Sequence, residues 1–188
     1  MQKTAKGQFG YIQSRRRYRW ITTILFLLVI FAMYFGARIY FGTNRNVFSI
    51  LAALLCLPGG NSAVNLVMFL RAKPCSDRAA ERIRSSAGDL AQAYDLYLTT
   101  YEHNYAVAHA AAAGKTLCAL TEDSACDVPG AERHMRGVLL NEGIHGVTVK
   151  VFTDPERYAK RLEEMRQLTG PEDPAGEKIL RTLLSVSL

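Results

Sequence analysis

The chain has 188 residues, 49% of them hydrophobic, with a formal net charge of +6 at pH 7; this length accommodates a membrane hairpin and one small further domain, and excludes a second such domain. The positive charge is confined, since residues 1–70 hold eight Lys and Arg and no acid, whereas residues 71–188 hold 15 basic and 17 acidic side chains. A folded part that is not basic excludes nucleic acid as the partner and assigns the basicity to membrane topology.

Residues 1–19 form a basic N-terminus and residues 20–41 read as a first transmembrane helix. Trp20 to Ala37 is 18 residues without a charge, about 27 Å of helix, which approaches the hydrocarbon thickness of a bilayer. Arg38 can snorkel, so that Ile39 to Phe41 extend the span. The run is longer than the apolar part of a signal peptide, and no small-x-small cleavage site follows it before Arg38. Residues 42–45 make a short external loop, and residues 46–70 a second span. Lys3, Lys6, Arg15, Arg16, Arg17 and Arg19 precede the first span and Arg71, Lys73, Arg78, Arg82 and Arg84 follow the second, with only Arg38 and Arg45 between them. Both termini are therefore expected in the cytoplasm. Tyr18, Trp20, Tyr40 and Phe41 stand where an interfacial aromatic belt belongs.

The second span is interrupted by LCLPGGNSAVNLV. One reading is a helix broken near Pro58 that restarts at Gly60 or Asn61, with Asn61 as N-cap and the positive helix end facing an anion or lipid headgroup. Pro58, Gly59, Gly60, Asn61 and Asn65 would then form a ligand or lipid site. Another is a kink whose Asn61, Ser62 and Asn65 bond across to the first span. A re-entrant loop is the third.

Pro74 ends the span, and Ser76 or Asp77 caps a helix expected to reach Tyr101 or Glu102. Ile83, Ala87, Leu90, Tyr94, Tyr97 with Leu98, and Tyr101 recur at 4,3,4,3 spacing, one stripe of such a helix. It buries against the domain's own sheet or a partner helix, and makes Tyr94, Tyr97 and Tyr101 a candidate partner interface. NYAVAHAAAAGKTLCALTE reads as a β-hairpin turning at Gly114 and Lys115, although its alanines leave a helix over 105–113 open. Asp127-Val-Pro129 opens a helix to about Asn141, with Met135, Val138 and Leu139 inward and Gly143 as its stop. Val147, Val149 and Val151 alternate with polar residues as a strand. Asp154-Pro155 starts a helix with Tyr158, Leu162 and Met165 on its apolar face. PEDPAGE reads as a linker, and KILRTLLSVSL as a final helix or strand. Residues 71–188 thus make a cytoplasmic α+β domain with a three-stranded sheet covered by helices, its last two strands parallel across a crossover helix.

Few constellations carry chemistry. Gly114-Lys115-Thr116 has the tail of a phosphate-binding loop, but the first glycine of that motif would stand at His109. His109, Cys118, Cys126 and His134 lack the close ligand pair of structural zinc sites. Cys118 or Cys126 with a histidine makes no oriented nucleophile pair. Glu122, Asp123 and Asp127 form an acidic cluster that reads as a solvated loop or a hard-metal site. Cys56 lies in the membrane and Cys75 is juxtamembrane, where palmitoylation is conceivable, and reduced thiols are expected in the cytoplasmic domain. No cofactor is implied.

The basic FGYIQSRRRYRW start, LCLPGGNSAVNLV, AGDLAQAYDLYLTTYE, VTVKVFTD and ILRTLLSVSL resemble a family of small two-span bacterial membrane proteins, some labelled O-linked GlcNAc transferase-like. The resemblance implies an inner-membrane protein. It implies no transferase, because residues 71–188 are too few for two nucleotide-binding lobes and no tetratricopeptide period is visible. The sequence therefore points to a membrane-anchored interaction or assembly module, with lipid and a protein partner or a second copy as its contacts. A tethered enzyme, or a lipid or small-ligand sensor built on the broken span, is the alternative.

Overall fold

The computed structural model describes residues 4–43, 47–100, 102–168, 170 and 173–188. The chain divides into two units, Ile12–Ala72 and a second comprising Met1–Tyr11 with Lys73–Leu188.

The first unit is a pair of helices, α1 (Tyr11–Phe41) and α2 (Val47–Arg71), both long and apolar enough to cross a membrane. The helix of α1 begins nine residues ahead of the apolar run, so Arg15, Arg16, Arg17 and Arg19 share it. Residues 44–46, and with them Arg45 of the expected loop, lie outside the described residues. α2 corrects the expected break: Pro58 sits inside a continuous helix, and Asn61 is an interior residue rather than an N-cap. A proline removes one helical N–H, and that loss is local. Gly59 instead fits the helix pair together, since a β-carbon there would stand 3.1 Å from Ile30 Cδ1. Of the polar groups expected to bond across, Ser62 alone does so: its Oγ lies 3.0 Å from Thr23 Oγ1. Asn65 Nδ2 turns back to donate to Asn61 O at 2.9 Å. Arg16 closes the end of α2, donating to the carbonyls of Phe69 (3.3 Å), Leu70 (3.4 Å) and Ala72 (3.0 Å), groups that the last helical turn leaves without an internal partner.

The second unit is α+β. It comprises α3 (Asp77–Ala87), β1 (Ala91–Thr99), β2 (Asn104–Ala113), β3 (Thr116–Leu120), α4 (Val128–Asn141), β4 (Thr148–Phe152), α5 (Pro155–Leu168) and α6 (Pro174–Val186). The sheet has four strands in the order β1-β2-β3-β4, not three. β3 and β4 are parallel, as the strand-helix-strand pattern required, and the other pairs are antiparallel. One apolar layer packs α4 and α6 on the sheet through Met135, Leu139, Ile179 and Leu183. The opposite layer packs α3 and α5 through Ile83, Tyr158, Leu162 and Met165. β2 is covered on both faces, and its alanines let both helical layers come close; burial overrides their weak strand preference.

The helix expected from Asp77 to Tyr101 is really α3 followed by β1. Gly88, at φ 53°, ends α3, a left-handed conformation that glycine tolerates. The tyrosine spacing has a separate cause. Ala93 and Leu96 face the α4/α6 layer, whereas Tyr94 faces the other and Asp95 accepts a hydrogen bond from Cys75 there. Opposite them, Val107 and Ala110 share one layer while Ala108 packs in the other. Both strands thus change phase at the same place, and the pairing Tyr94↔His109 and Leu96↔Val107 stays in register. Asp95, at φ 56°, is the one described non-glycine residue in the left-handed region. In the stretch read as a linker, Pro174 starts α6 with Asp173 as its cap.

Candidate functional site

The loop between β3 and α4, residues 121–127, follows the carboxyl end of a parallel strand, the end where sheets of this kind place their binding groups. Its acids are engaged with the segment that follows α2 in the chain. Lys73 Nζ pairs with Asp123 Oδ1 at 2.7 Å. Ser76 donates to the Glu122 carboxylate from its amide (2.8 Å) and its hydroxyl (2.6 Å), and the same hydroxyl caps α3 by accepting from Ala79 N. Between them, Cys75 N donates to the buried Asp95 at 2.8 Å. Hydrogen bonds from Lys73 and then from Ala125 N hold the Asp123 carboxyl below its ordinary value. Two of the three acids of the expected cluster are therefore fastenings for residues 73–76, and Asp127 stands at the N-cap position of α4 without a side-chain cap bond.

Two clefts flank this loop. The first, about 350 Å³, is lined by Ser76, Arg78, Arg82, Glu122, Asp154 and Glu156. Its carboxylates already have partners: Glu122 holds Ser76, Glu156 pairs with Arg82 at 2.8 Å, and Asp154 accepts from Glu156 N at 2.9 Å. The second, about 420 Å³, gathers His103, Tyr105, Asp127, Arg133 and His134. Tyr105 is only 5% exposed, and two imidazoles lie near its ring, His134 stacked at 5.9 Å and 30° and His103 tilted at 6.4 Å and 38°. Burial and then the nearby Asp127 carboxylate raise the Tyr105 hydroxyl above its ordinary value, and burial keeps His134 on the neutral side of its own. This cleft brings a phenol, two imidazoles and a carboxylate together.

His109, considered above as a metal ligand or a base, is a core residue. Its Nδ1 lies 2.7 Å from Tyr158 Oη and its Nε2 3.1 Å from Gln92 Oε1. Gln92 Oε1 can only accept, so Nε2 carries the proton and Nδ1 accepts from the tyrosine. Tyr94 packs edge-on at 4.4 Å. Burial lowers the imidazole to about 3, and it stays neutral.

Cys118 is fully buried and faces the α3/α5 layer, while Cys126 packs against the other and His134 stands on α4; the four expected soft ligands do not converge. Among the described residues, no three His, Cys, Asp or Glu side chains are grouped to hold a metal. Burial, then the carboxylates of Glu122, Asp95 and Asp77, push the Cys75 thiol up to about 12. Tyr94 is partly buried, with Phe9 edge-on at 5.8 Å, Tyr97 is 5% exposed, and Tyr101 lies outside the described residues. Pro58, Gly59, Gly60, Asn61 and Asn65 all stand on α2; Gly59 and Gly60 line an apolar groove of about 580 Å³ with Phe31, Tyr34 and Cys56. Sequence considered His103 only as one possible base for Cys118 or Cys126 and Arg16 only as a topology charge; Asp95 and Tyr105 were not singled out, because Cys75 and His134 are remote from them in the chain. No family model matches the chain, and no curated protein and no solved structure matches it either.

Proposed function

We propose that the protein is a membrane-anchored interaction module, with α1 and α2 spanning a bacterial inner membrane as a hairpin and the α+β unit on the cytoplasmic side. One observation carries the reading: among the described residues, apart from Leu140, Leu168 and Val186, every exposed large hydrophobic side chain lies on α1 or α2. Such surface is stable against lipid and costly in water. The basic residues of α1 ahead of Trp20, and Arg71 with Lys73, belong on the cytoplasmic side. In the other unit, the reactive groups serve as structure: His109 bridges β1, β2 and α5, Cys75 and Cys118 are buried, and Glu122 and Asp123 hold the chain leaving α2. The unit's titratable groups are thus spent on holding its own elements together, the arrangement that suits a docking platform.

The test is crosslinking in native membranes followed by purification and mass spectrometry, with a topology probe at Thr43→Cys. A stoichiometric partner, together with Thr43→Cys labelling from outside, is the expected result. A chain released by alkaline extraction, or labelled only after the membrane is permeabilised, refutes the membrane topology. A second reading, a membrane-tethered enzyme, is favoured by the cleft in which Tyr105, His103, His134 and Asp127 converge; Tyr105→Phe would then abolish a turnover that the module reading does not require.

A further inference from the structure

Resting on the reading that α2 spans the membrane, we infer that α2 carries the interface of a parallel homodimer, with a second copy of this chain seated on the seam Ile50, Leu54, Leu57, Asn61, Val64 and Met68. These residues recur at 4,3,4,3,4 spacing, the pattern by which one helix lies along another. Met68 is half-buried and the other five are exposed. The seam is not the face that packs on α1, which is the separate stripe of Ala52, Gly59, Ser62, Leu66 and Phe69.

Lipid accounts for exposed Ile, Leu, Val and Met. It does not account for Asn61. That residue is the fifteenth of the 25 in α2, about 3 Å along the axis from the helix midpoint, where an amide has no water to bond. Its main-chain oxygen and its Oδ1 both accept from Asn65 Nδ2, at 2.9 and 3.3 Å. Its own Nδ2 donates to nothing among the described residues. A polar group held at this depth marks a contact with another polar group.

The identity of the occupant follows from symmetry. Copies inserted with the same topology run parallel, and in a parallel helix pair each seam position faces itself. A carboxamide both donates and accepts, so Asn61 facing its counterpart supplies the acceptor that its Nδ2 lacks. Asn61 occupies the seam position, three residues before the next apolar one, at which a single buried asparagine fixes register and favours two strands in water-soluble helix pairs. The lining of the apolar groove on another side of α2 contains no carboxamide.

The experiment uses the full chain with Cys56→Ser in lipid vesicles, adding Leu57→Cys on the seam or Ala53→Cys in the groove, and reads oxidative crosslinking alongside resistance to alkaline extraction. Leu57→Cys is expected to yield a crosslinked dimer and Ala53→Cys none. Adding Asn61→Leu should weaken association by about 3- to 20-fold, with Asn61→Gln falling between. Embedded chains that fail to crosslink through Leu57→Cys, that crosslink equally through Ala53→Cys, or that ignore Asn61→Leu overturn the dimer while leaving the membrane reading intact. A different protein captured at Leu57→Cys in native membranes overturns it as well. Extraction of the chain by alkali overturns both.

Discussion

Acid should destabilise the α+β unit through one side chain. His109 is fully buried; its Nδ1 accepts from Tyr158 and its Nε2 donates to Gln92, so a second ring proton would confront the tyrosine's donor with another donor. Burial accordingly lowers its pKa from 6.5 to about 3. Because the folded value lies below the unfolded one, stability is full above pH 6.5 and is lost as the pH falls from 6.5 towards 3, while the unfolded chain alone takes up the proton. Linkage gives a slope approaching about 1.4 kcal/mol per pH unit and a loss of about 2 kcal/mol at pH 5. The measurement is denaturant unfolding of the detergent-solubilised chain, followed by tyrosine absorbance, at pH 7.5 and pH 5. His109→Gln, neutral at both, lowers stability at pH 7.5 but should remove the larger part of the loss on acidification. If wild type and His109→Gln lose the same amount between the two pH values, the imidazole is not the acid-sensitive group and the assignment of its protons is wrong.

Other substitutions probe different parts. Asp95→Ala removes the carboxylate that holds Cys75 N and places alanine at φ 56°, a combined cost of about 2–4 kcal/mol. In a background lacking Cys56 and Cys126, maleimide should label Cys75 at least about 30-fold faster through the local opening, and unchanged protection would show that residues 73–76 are held by other contacts. Gly176→Ala sets a β-carbon about 2.8 Å from the main-chain oxygen of Ala112, which cannot swing aside, so thermal unfolding should show a loss of about 1–3 kcal/mol; a wild-type melting temperature would mean α6 packs less closely on β2. Gly59→Leu should separate α1 from α2 and reduce the yield of folded chain, whereas Gly59→Ala meets only the flexible end of Ile30 and should be tolerated. Equal loss in both variants would mean that Gly59 is needed for backbone conformation rather than for packing.

The elements that sequence predicted well are those with a local cause. The hairpin turn at Gly114, the helix opened by Asp127 and Pro129, the β4 alternation and the α5 stripe are each written within a dozen residues. β1 was read as helix because its phase change at Asp95 puts Tyr94 and Tyr97 three residues apart on one face of a strand, reproducing helical spacing; Gly88 was the stop signal that the periodicity concealed. Asp173-Pro174 carries the same helix-start signature as Asp154-Pro155, but the surrounding prolines and glycine made it look like a linker. Of the site, the acids after β3 were visible as a cluster. Their employment was not, since Glu122 and Asp123 bind residues 46 and 50 positions earlier in the chain. The Tyr105–His134 stack likewise depends on how α4 lies over β2, which no local pattern encodes.

The free border of β1 is occupied from within the same unit: Tyr94 N donates to Gly7 O at 2.7 Å, and Tyr97 O accepts from Leu188 N at 2.9 Å. A border covered at these two points is a poorer template for a foreign strand, which guards a sheet whose second strand is mostly alanine against templated aggregation. The other border, β4, is short, carries Lys150, and has Val151 N covered by the Glu132 carboxylate at 2.9 Å. Strand addition is thus hindered at both margins of the sheet, which leaves the helices and loops as the open surfaces of this unit.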